Sequence, residues 1–277
     1  MHKRVFVFSI LLLFTLNSFS QKKWDPLFPT DDPFYKNWGW HAGIGGNYTL
    51  PINGKHTSVH VYNADTVSYY NFDPKGQVGA MIEGGAFLLL DNIIVSYLDA
   101  GLRLNWFQGK NNFDDYRVSS STGDTISFRE GERAFDIFDV SLRLNANNTI
   151  QVSNYGFIQN TLGLNFDYQF YKGQNTNPSI FPFDDFGDNK FQFQLHYKLA
   201  YGFRLDLMHY MIIGIDAPLM TFVPWDDGSQ TINVFDAQYW PLTLSVNVMF
   251  LQKSNRPDCR DSPSLNMKRK RKKDKMF

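Results

Sequence analysis

Residues 98–106, Leu98-Asp99-Ala100-Gly101-Leu102-Arg103-Leu104-Asn105-Trp106, alternate apolar and polar with a period of two. On a strand, Leu98, Ala100, Leu102, Leu104 and Trp106 share one face, and Asp99, Gly101, Arg103 and Asn105 share the other. Eight stretches carry this pattern, near 38–50, 76–90, 94–108, 135–147, 155–171, 191–205, 209–217 and 239–250. Their polar faces hold Arg, Asp and Asn. In a water-soluble sheet the apolar face is the hidden one. Behind a secretory signal, around a closed sheet, the pattern reads inside out, with the apolar face toward lipid and the polar face toward a lumen.

The chain begins Met1-His2-Lys3-Arg4, runs apolar over residues 5–16, and continues Asn17-Ser18-Phe19-Ser20. A basic start, a short apolar core and small residues predict a signal peptide over 1–20, cleaved before Gln21. The apolar run is too short for a membrane helix, which needs about 20 residues. No Cys follows it, so no lipoprotein anchor is expected. No later apolar run is long enough to span as a helix, so a membrane assignment requires a closed barrel, in which every backbone group finds a partner.

The connections alternate in length. Long ones cover 51–75, 109–134, 172–190 and 218–238; short ones sit at Asp91-Asn92, near 147–154 and around 206–208. Long external loops alternating with short periplasmic turns define an up-and-down barrel, and an even strand count places both termini in the periplasm. Two long loops hold strand-like pieces, His60-Val61-Tyr62 with Val67-Ser68-Tyr69 and Tyr116-Arg117-Val118 with Thr125-Ile126-Ser127. They are expected to extend hairpins beyond the membrane; taken as separate strands they would make ten. The expected fold is therefore all-β: an antiparallel up-and-down transmembrane barrel of eight strands over 38–250. An irregular periplasmic leader over 21–37 precedes it, and a disordered basic tail over 251–277 follows. The lipid faces include Phe138, Val140, Leu142, Leu144; Leu162, Leu164, Phe166, Tyr168, Phe170; Phe193, Leu195, Tyr197, Leu199, Tyr201; and Leu242, Leu244, Val246, Val248, Phe250. Trp40, Trp106, Tyr168 and Trp240 near strand ends suit interfacial anchors.

The same alternation puts Glu83, Asp99, Arg103, Asp139, Arg143, Asp167, His196, Lys198, Arg204 and Asp216 inside. An eight-stranded barrel is only wide enough for side chains to fill it. Charges there must pair, because an unpaired buried charge is costly. The expected lumen is a salt-bridged, hydrogen-bonded plug; a narrow ion path and a lumenal catalytic site are the alternatives. Asp99-Ala-Gly-Leu-Arg-Leu-Asn105 and Asp139-Val-Ser-Leu-Arg-Leu-Asn145 form a two-copy repeat. Solenoids need several copies at fixed period, so the repeat reads as two strands meeting similar lumenal demands.

Charge is uneven. The whole chain balances 27 Lys and Arg against 27 Asp and Glu, but residues 251–277 hold 10 basic and 3 acidic residues, which leaves the body acidic. An acidic body argues against nucleic-acid binding. In the tail, Lys268, Arg269, Lys270, Arg271, Lys272 and Lys273 are candidates for docking on a periplasmic protein, on the cell wall or on anionic headgroups, where each cation near the surface contributes about 1 kcal/mol. The single Cys259 cannot form an internal disulfide and is expected to be an incidental free thiol. The acidic loop clusters Asp114-Asp115, Asp184-Asp185 with Asp188-Asn189, and Asp226-Asp227-Gly228 match no calcium-loop spacing. His41, His56, His60, His196 and His209 lack metal-ligand spacing, and the chain has no nucleophile elbow or phosphate loop. No catalytic residue, metal or cofactor is expected.

The pattern over 38–250 resembles the small outer-membrane β-barrels of the OmpA/OmpX-like group, and more closely the PorT-like barrels found with type IX secretion. The resemblance rests on strand pattern and connection lengths. A terminal aromatic at Phe250 resembles the assembly signal of such barrels, although 27 residues follow it. The resemblance implies the outer membrane of a Gram-negative bacterium, contact with its lipid and lipopolysaccharide, and a role in adhesion, envelope integrity or secretion-apparatus assembly. A non-enzymatic structural or assembly component, with the tail docking a periplasmic or secretion-apparatus partner, is the expected function. An outer-membrane lipid-modifying enzyme and a small pore are the alternatives.

Overall fold

The structure, a computed structural model, describes residues 27–28, 35–51, 56–63, 66–90, 92, 94–176, 190–223 and 239–254. The expected signal peptide, most of the expected leader, the acidic clusters at 184–189 and 226–228, Cys259 and the basic tail lie outside the described residues.

Ten strands are formed in chain order: β1 Tyr35–Pro51, β2 His56–Asn63, β3 Thr66–Gly76, β4 Val78–Leu89, β5 Tyr97–Ser119, β6 Thr125–Gln151, β7 Gly156–Thr176, β8 Phe191–Arg204, β9 His209–Val223 and β10 Tyr239–Lys253. All pairings are antiparallel. Eight of the strands form a ring. It runs β1-β4-β5-β6-β7-β8-β9-β10 and closes where β10 pairs with β1, so no sheet edge faces lipid. The expected eight-stranded barrel is the one observed, with its ring extending to residues 35 and 253. β2 and β3 are the extension hairpin read from the first loop, with Val61 opposite Val67 and His60 opposite Ser68.

The inside-out pattern holds around the ring. Ile44, Ile82, Leu102, Leu104, Leu142, Leu144, Leu199, Ile215 and Leu244 are exposed on the outside. Arg103, Asp139, Ser141, Arg143, Asp167, His196, Lys198 and Asp216 are buried inside. Lipid tails accept the outer side chains without cost, whereas the inner polar groups need protein partners. Aromatic clusters rim the outer face at both ends. On the loop side Trp106 stacks on Phe138 with centroids 5.7 Å apart, and Phe166 stacks on Phe193 at 4.6 Å. On the terminus side Trp38 meets Trp40 edge to face at 5.6 Å, and His209 meets Phe250 at 5.4 Å.

The turns on the terminus side are short and locally specified. Asn92 Oδ1 accepts from the Ile94 amide, Ser153 Oγ from the Gly156 amide, and Asp206 Oδ1 from the amides of Met208 and His209. On the opposite side β5 and β6 stay paired to Val118 and Thr125, and Gly123, at φ 72°, supplies the left-handed residue of their turn. β3 prolongs β4 past Gln77 and pairs β5 from Gly109 to Ser119. Thr49 locks that junction: its hydroxyl donates to the Gln108 carbonyl and accepts from the Gln77 amide. A four-stranded sheet, β2-β3-β5-β6, therefore projects beyond the barrel. Tyr116 lies ten residues past Trp106 on β5, about 34 Å along a strand. The outer face of this sheet turns polar at Lys110, which pairs with Glu132, and becomes apolar again near the tip. There Tyr69 stacks on Tyr116 at 5.1 Å, and Tyr116 stands opposite Phe128, which is 58% exposed.

Candidate functional site

The lumen is layered. At its centre β4, β5, β6 and β9 bring Glu83, Arg103, Arg143 and Asp216 together. Glu83 Oε2 lies 2.8 Å from Arg103 Nε and 2.8 Å from Arg143 Nη1. Asp216 Oδ2 lies 2.9 Å from Arg103 Nη1 and 2.7 Å from Arg143 Nη2. Lys198 Nζ stands 3.9 Å from Glu83 Oε1. His196 Nδ1 faces Asp216 Oδ1 at 2.9 Å and its Nε2 faces Asn145 Oδ1 at 2.9 Å. The Asn145 amide nitrogen donates to Asp99 Oδ1, so its oxygen points at the imidazole, and Arg143 Nη2 lies 2.9 and 3.1 Å from the two ring nitrogens. Gly163 makes room for that contact, since a Cβ there would sit 2.0 Å from Asn145 Oδ1 and 2.3 Å from His196 Nε2.

Below this cluster Asp99 accepts from the amides of Asn145 at 2.7 Å and Asn147 at 2.6 Å, with His41 Nε2 at 3.9 Å. Asn147 Oδ1 accepts in turn from Gln159 and Thr161. Above it, Asn105 donates to Asp139 Oδ1 at 2.7 Å. Two cavities of about 30 Å³ flank the cluster, one against His41, Asp99 and Lys198, the other against Asp139, Asp167 and Gln194. Each holds about one water-sized particle.

Of the ten residues expected inside, Glu83, Arg103, Arg143, His196, Lys198 and Asp216 form one network. Asp99 joins it through Asn145. Asp139 and Asp167 are lumenal but, among the described residues, make no ion pair; the expectation that every lumenal charge pairs is corrected for these two. Arg204 is also corrected. Its strand ends at the terminus-side rim, where it is half-buried and its Nε donates to the Asp206 carbonyl, outside the network.

The leader supplies what the sequence reading missed. Phe28 enters the terminus-side mouth and packs on Tyr210, Tyr97 and Phe157 with centroids 5.0, 5.9 and 6.1 Å away. The Tyr210 hydroxyl donates to the Leu27 carbonyl at 2.9 Å. Leu27 and Phe28 complete an apolar cluster with Phe87, Leu89, Ile212, Met249 and Leu251. Phe157 itself lies over Gly202, where a Cβ would approach the ring to 2.1 Å. Residues 27–28, within the expected leader, thus plug the terminus-side mouth.

An apolar outer belt, a polar packed lumen and a ring without edges define a transmembrane β-barrel of the outer-membrane class. No family model matches the chain, and no curated protein matches it. Among solved structures, the outer membrane protein OprG from Pseudomonas aeruginosa is similar over 80% of this chain and 99% of its own, at 10% identity and a TM-score of 0.42. The translocator domain of the autotransporter NalP from Neisseria meningitidis aligns over 78% of this chain and 88% of its own, at 10% identity and a TM-score of 0.27. Ail, the attachment invasion locus protein of Yersinia pestis, aligns over 77% of this chain and 99% of its own, at 8% identity and a TM-score of 0.23.

Proposed function

We propose that the protein is a non-conducting, non-enzymatic anchor in the bacterial outer membrane, a structural or assembly component that holds its projecting sheet outside and its basic tail in the periplasm. One observation carries this reading: the lumen is blocked twice, by the Glu83–Arg103–Arg143–Asp216 cluster and by Phe28 in the terminus-side mouth. A pore needs a continuous aqueous path, and cavities of about 30 Å³ on either side of an ion-paired wall do not supply one. A lipid-modifying enzyme needs its acid–base group at a rim, where an acyl chain can reach it. His41 and His196 instead lie in the packed interior, beside Asp99 and Asp216.

The barrel's contribution is rigidity. It fixes the direction of the β2-β3-β5-β6 sheet, whose apolar tip at Tyr69, Tyr116 and Phe128 is separated from the lipid belt by charged residues. Extraction of full-length protein and of a variant lacking residues 254–277 from native membranes in mild detergent tests the assembly role. A defined partner recovered with the full chain and lost from the truncated one is the expected result. A solitary barrel in both cases would overturn it. Membership of a secretion apparatus is the finer form of the proposal, and the identity of that partner decides it.

A further inference from the structure

The projecting sheet ends in an open edge. β7 joins β6 only at Arg133, so over residues 127–132, among the described residues, β6 pairs with β5 alone. Alternate residues of this stretch turn their backbone N–H and C=O groups away from β5. A free strand edge outside the bilayer is a template for one more strand. The side chains beside the edge decide which strand fits it. Tyr69, Tyr116 and Phe128 form one row across the outer face, Asn71, Asp114 and Glu130 the next, and Asp73, Asn112 and Glu132 the third. Phe128, Glu130 and Glu132 are all exposed.

The charges in these rows are unbalanced. Lys110 holds Glu132. Asp114 and Glu130 stand directly opposite each other, and among the described residues neither has an ion pair. Like charges directly opposite on a sheet are destabilising, whereas a cation on the next strand would stand about 5 Å from Glu130 and relieve the repulsion. An apolar residue opposite Phe128 would lengthen the aromatic row by the same geometry. A second copy of the chain does not reach this edge, because the place beside β6 lies above β7. β3 stands over β4, and β2 stands on the β1 side of β3. A copy in the same membrane that offered its β2 or β6 there would bring the barrel wall beneath that strand into the space of β7.

We infer that the β6 edge over 127–132 receives an extended segment of a partner protein as a fifth, antiparallel strand of the projecting sheet, with an apolar residue facing Phe128 and Lys or Arg facing Glu130 and Glu132. Main-chain hydrogen bonds supply the affinity, and the alternate side chains supply the selection. The external position of this sheet rests on the anchor reading; neither the lumen nor the tail takes part in the docking.

The test uses full-length protein in an uncharged detergent, its folding verified by heat-modifiable migration, and a fluorescent peptide Lys-Thr-Lys-Thr-Val-Thr. In antiparallel register this peptide sets its lysines against Glu132 and Glu130 and its valine against Phe128. Fluorescence anisotropy is expected to give saturable binding of one peptide per chain. E130K, which lies outside the lipid belt, is expected to weaken binding about tenfold, and the peptide Lys-Thr-Glu-Thr-Val-Thr is expected to restore it on that variant alone. F128S is expected to weaken binding of the first peptide without changing the preference for lysine. Of two peptides N-methylated on one or the other alternate set of residues, only one is expected to bind. Absence of binding would overturn the proposal, and so would equal binding of both N-methylated peptides, the result that ionic attraction alone gives. Binding that appears only when residues 177–189 are deleted would assign the edge to that segment, and a dimer lost in E130K would assign it to a second copy; either would also overturn the proposal. None of these outcomes bears on a partner recovered through the tail, so a failure here is distinct from a failure of the anchor reading.

Discussion

Arg103 on β5 and Arg143 on β6 hold the same two oxygens, Glu83 Oε2 and Asp216 Oδ2, at 2.6–2.9 Å. The two guanidinium groups stand at corresponding positions of the two-copy sequence repeat. Each carboxylate is shared by the two arginines, and Arg143 Nε donates in addition to Asn165 Oδ1 at 3.1 Å.

This sharing predicts non-additive energetics. Replacing Arg143 by Met leaves Glu83 and Asp216 with Arg103 and the more distant Lys198, and breaking a buried pair of this kind costs about 3–5 kcal/mol. The R103M/R143M double variant should fall well short of the sum of the single losses, or well beyond it, because the sites are coupled. Equilibrium unfolding of the four proteins in lipid vesicles measures the coupling. Additive losses would mean that each arginine acts alone.

Gly163 yields a second expectation. Ala at this position places a methyl between Asn145 and His196, where the clearances are 2.0 and 2.3 Å, and overpacking of this order costs about 1–3 kcal/mol. Unfolding of G163A reports the loss. A fully stable G163A would contradict the tight Asn145–His196 contact.

On the lipid side, Leu102 is 57% exposed and lies mid-strand between Gly84 and Leu142. L102R should cost about 2–4 kcal/mol in a bilayer. The same change in a water-soluble protein with Leu102 at its surface would be nearly neutral, so the size of the loss separates a lipid belt from a solvated face.

The turn at 205–208 carries a pH expectation. The His209 side chain and the backbone amides of Met208 and His209 hold the Asp206 carboxyl below its usual value of 3.8. A depressed carboxyl contributes turn stability above its unfolded pKa, and that contribution is lost as pH falls through the lower folded value. NMR titration of the Asp206 carboxyl should give a midpoint below 3.8, and D206N should remove the local pH response. A midpoint at or above 3.8 would mean that the caps are absent in solution.

The ring was legible in the sequence because period-two alternation with Arg and Asp on one face leaves a single placement for each strand; Leu98 to Trp106 sits as read. The central network was legible in membership, since Glu83, Arg103, Arg143, His196, Lys198 and Asp216 follow from parity alone. Its geometry was not, because strand parity says nothing of stagger between strands. The repeat at Arg103 and Arg143 was the available signal, and it marks the two residues that share both carboxylates. The neutral lumenal residues Asn105, Asn145 and Asn147 carry no charge to single them out, yet they orient the carboxylates. The plug was hidden for a different reason. Tyr210 and Ile212 alternate with Met211 and Ile213, so both faces of β9 are apolar there and nothing distinguishes lumen from lipid. Arg204 shows the limit of parity at a strand end, where the inward direction no longer leads into the lumen.

The central claim is that the barrel is sealed, and conductance across a planar lipid bilayer tests it most directly. The full-length protein, its insertion verified by heat-modifiable migration, should give no channel events. Replacing Phe28 by Ala alone should remain silent, because the Glu83–Arg103–Arg143–Asp216 wall still stands. Discrete, reproducible openings from the unmodified protein would contradict the account and make the lumen a conduit.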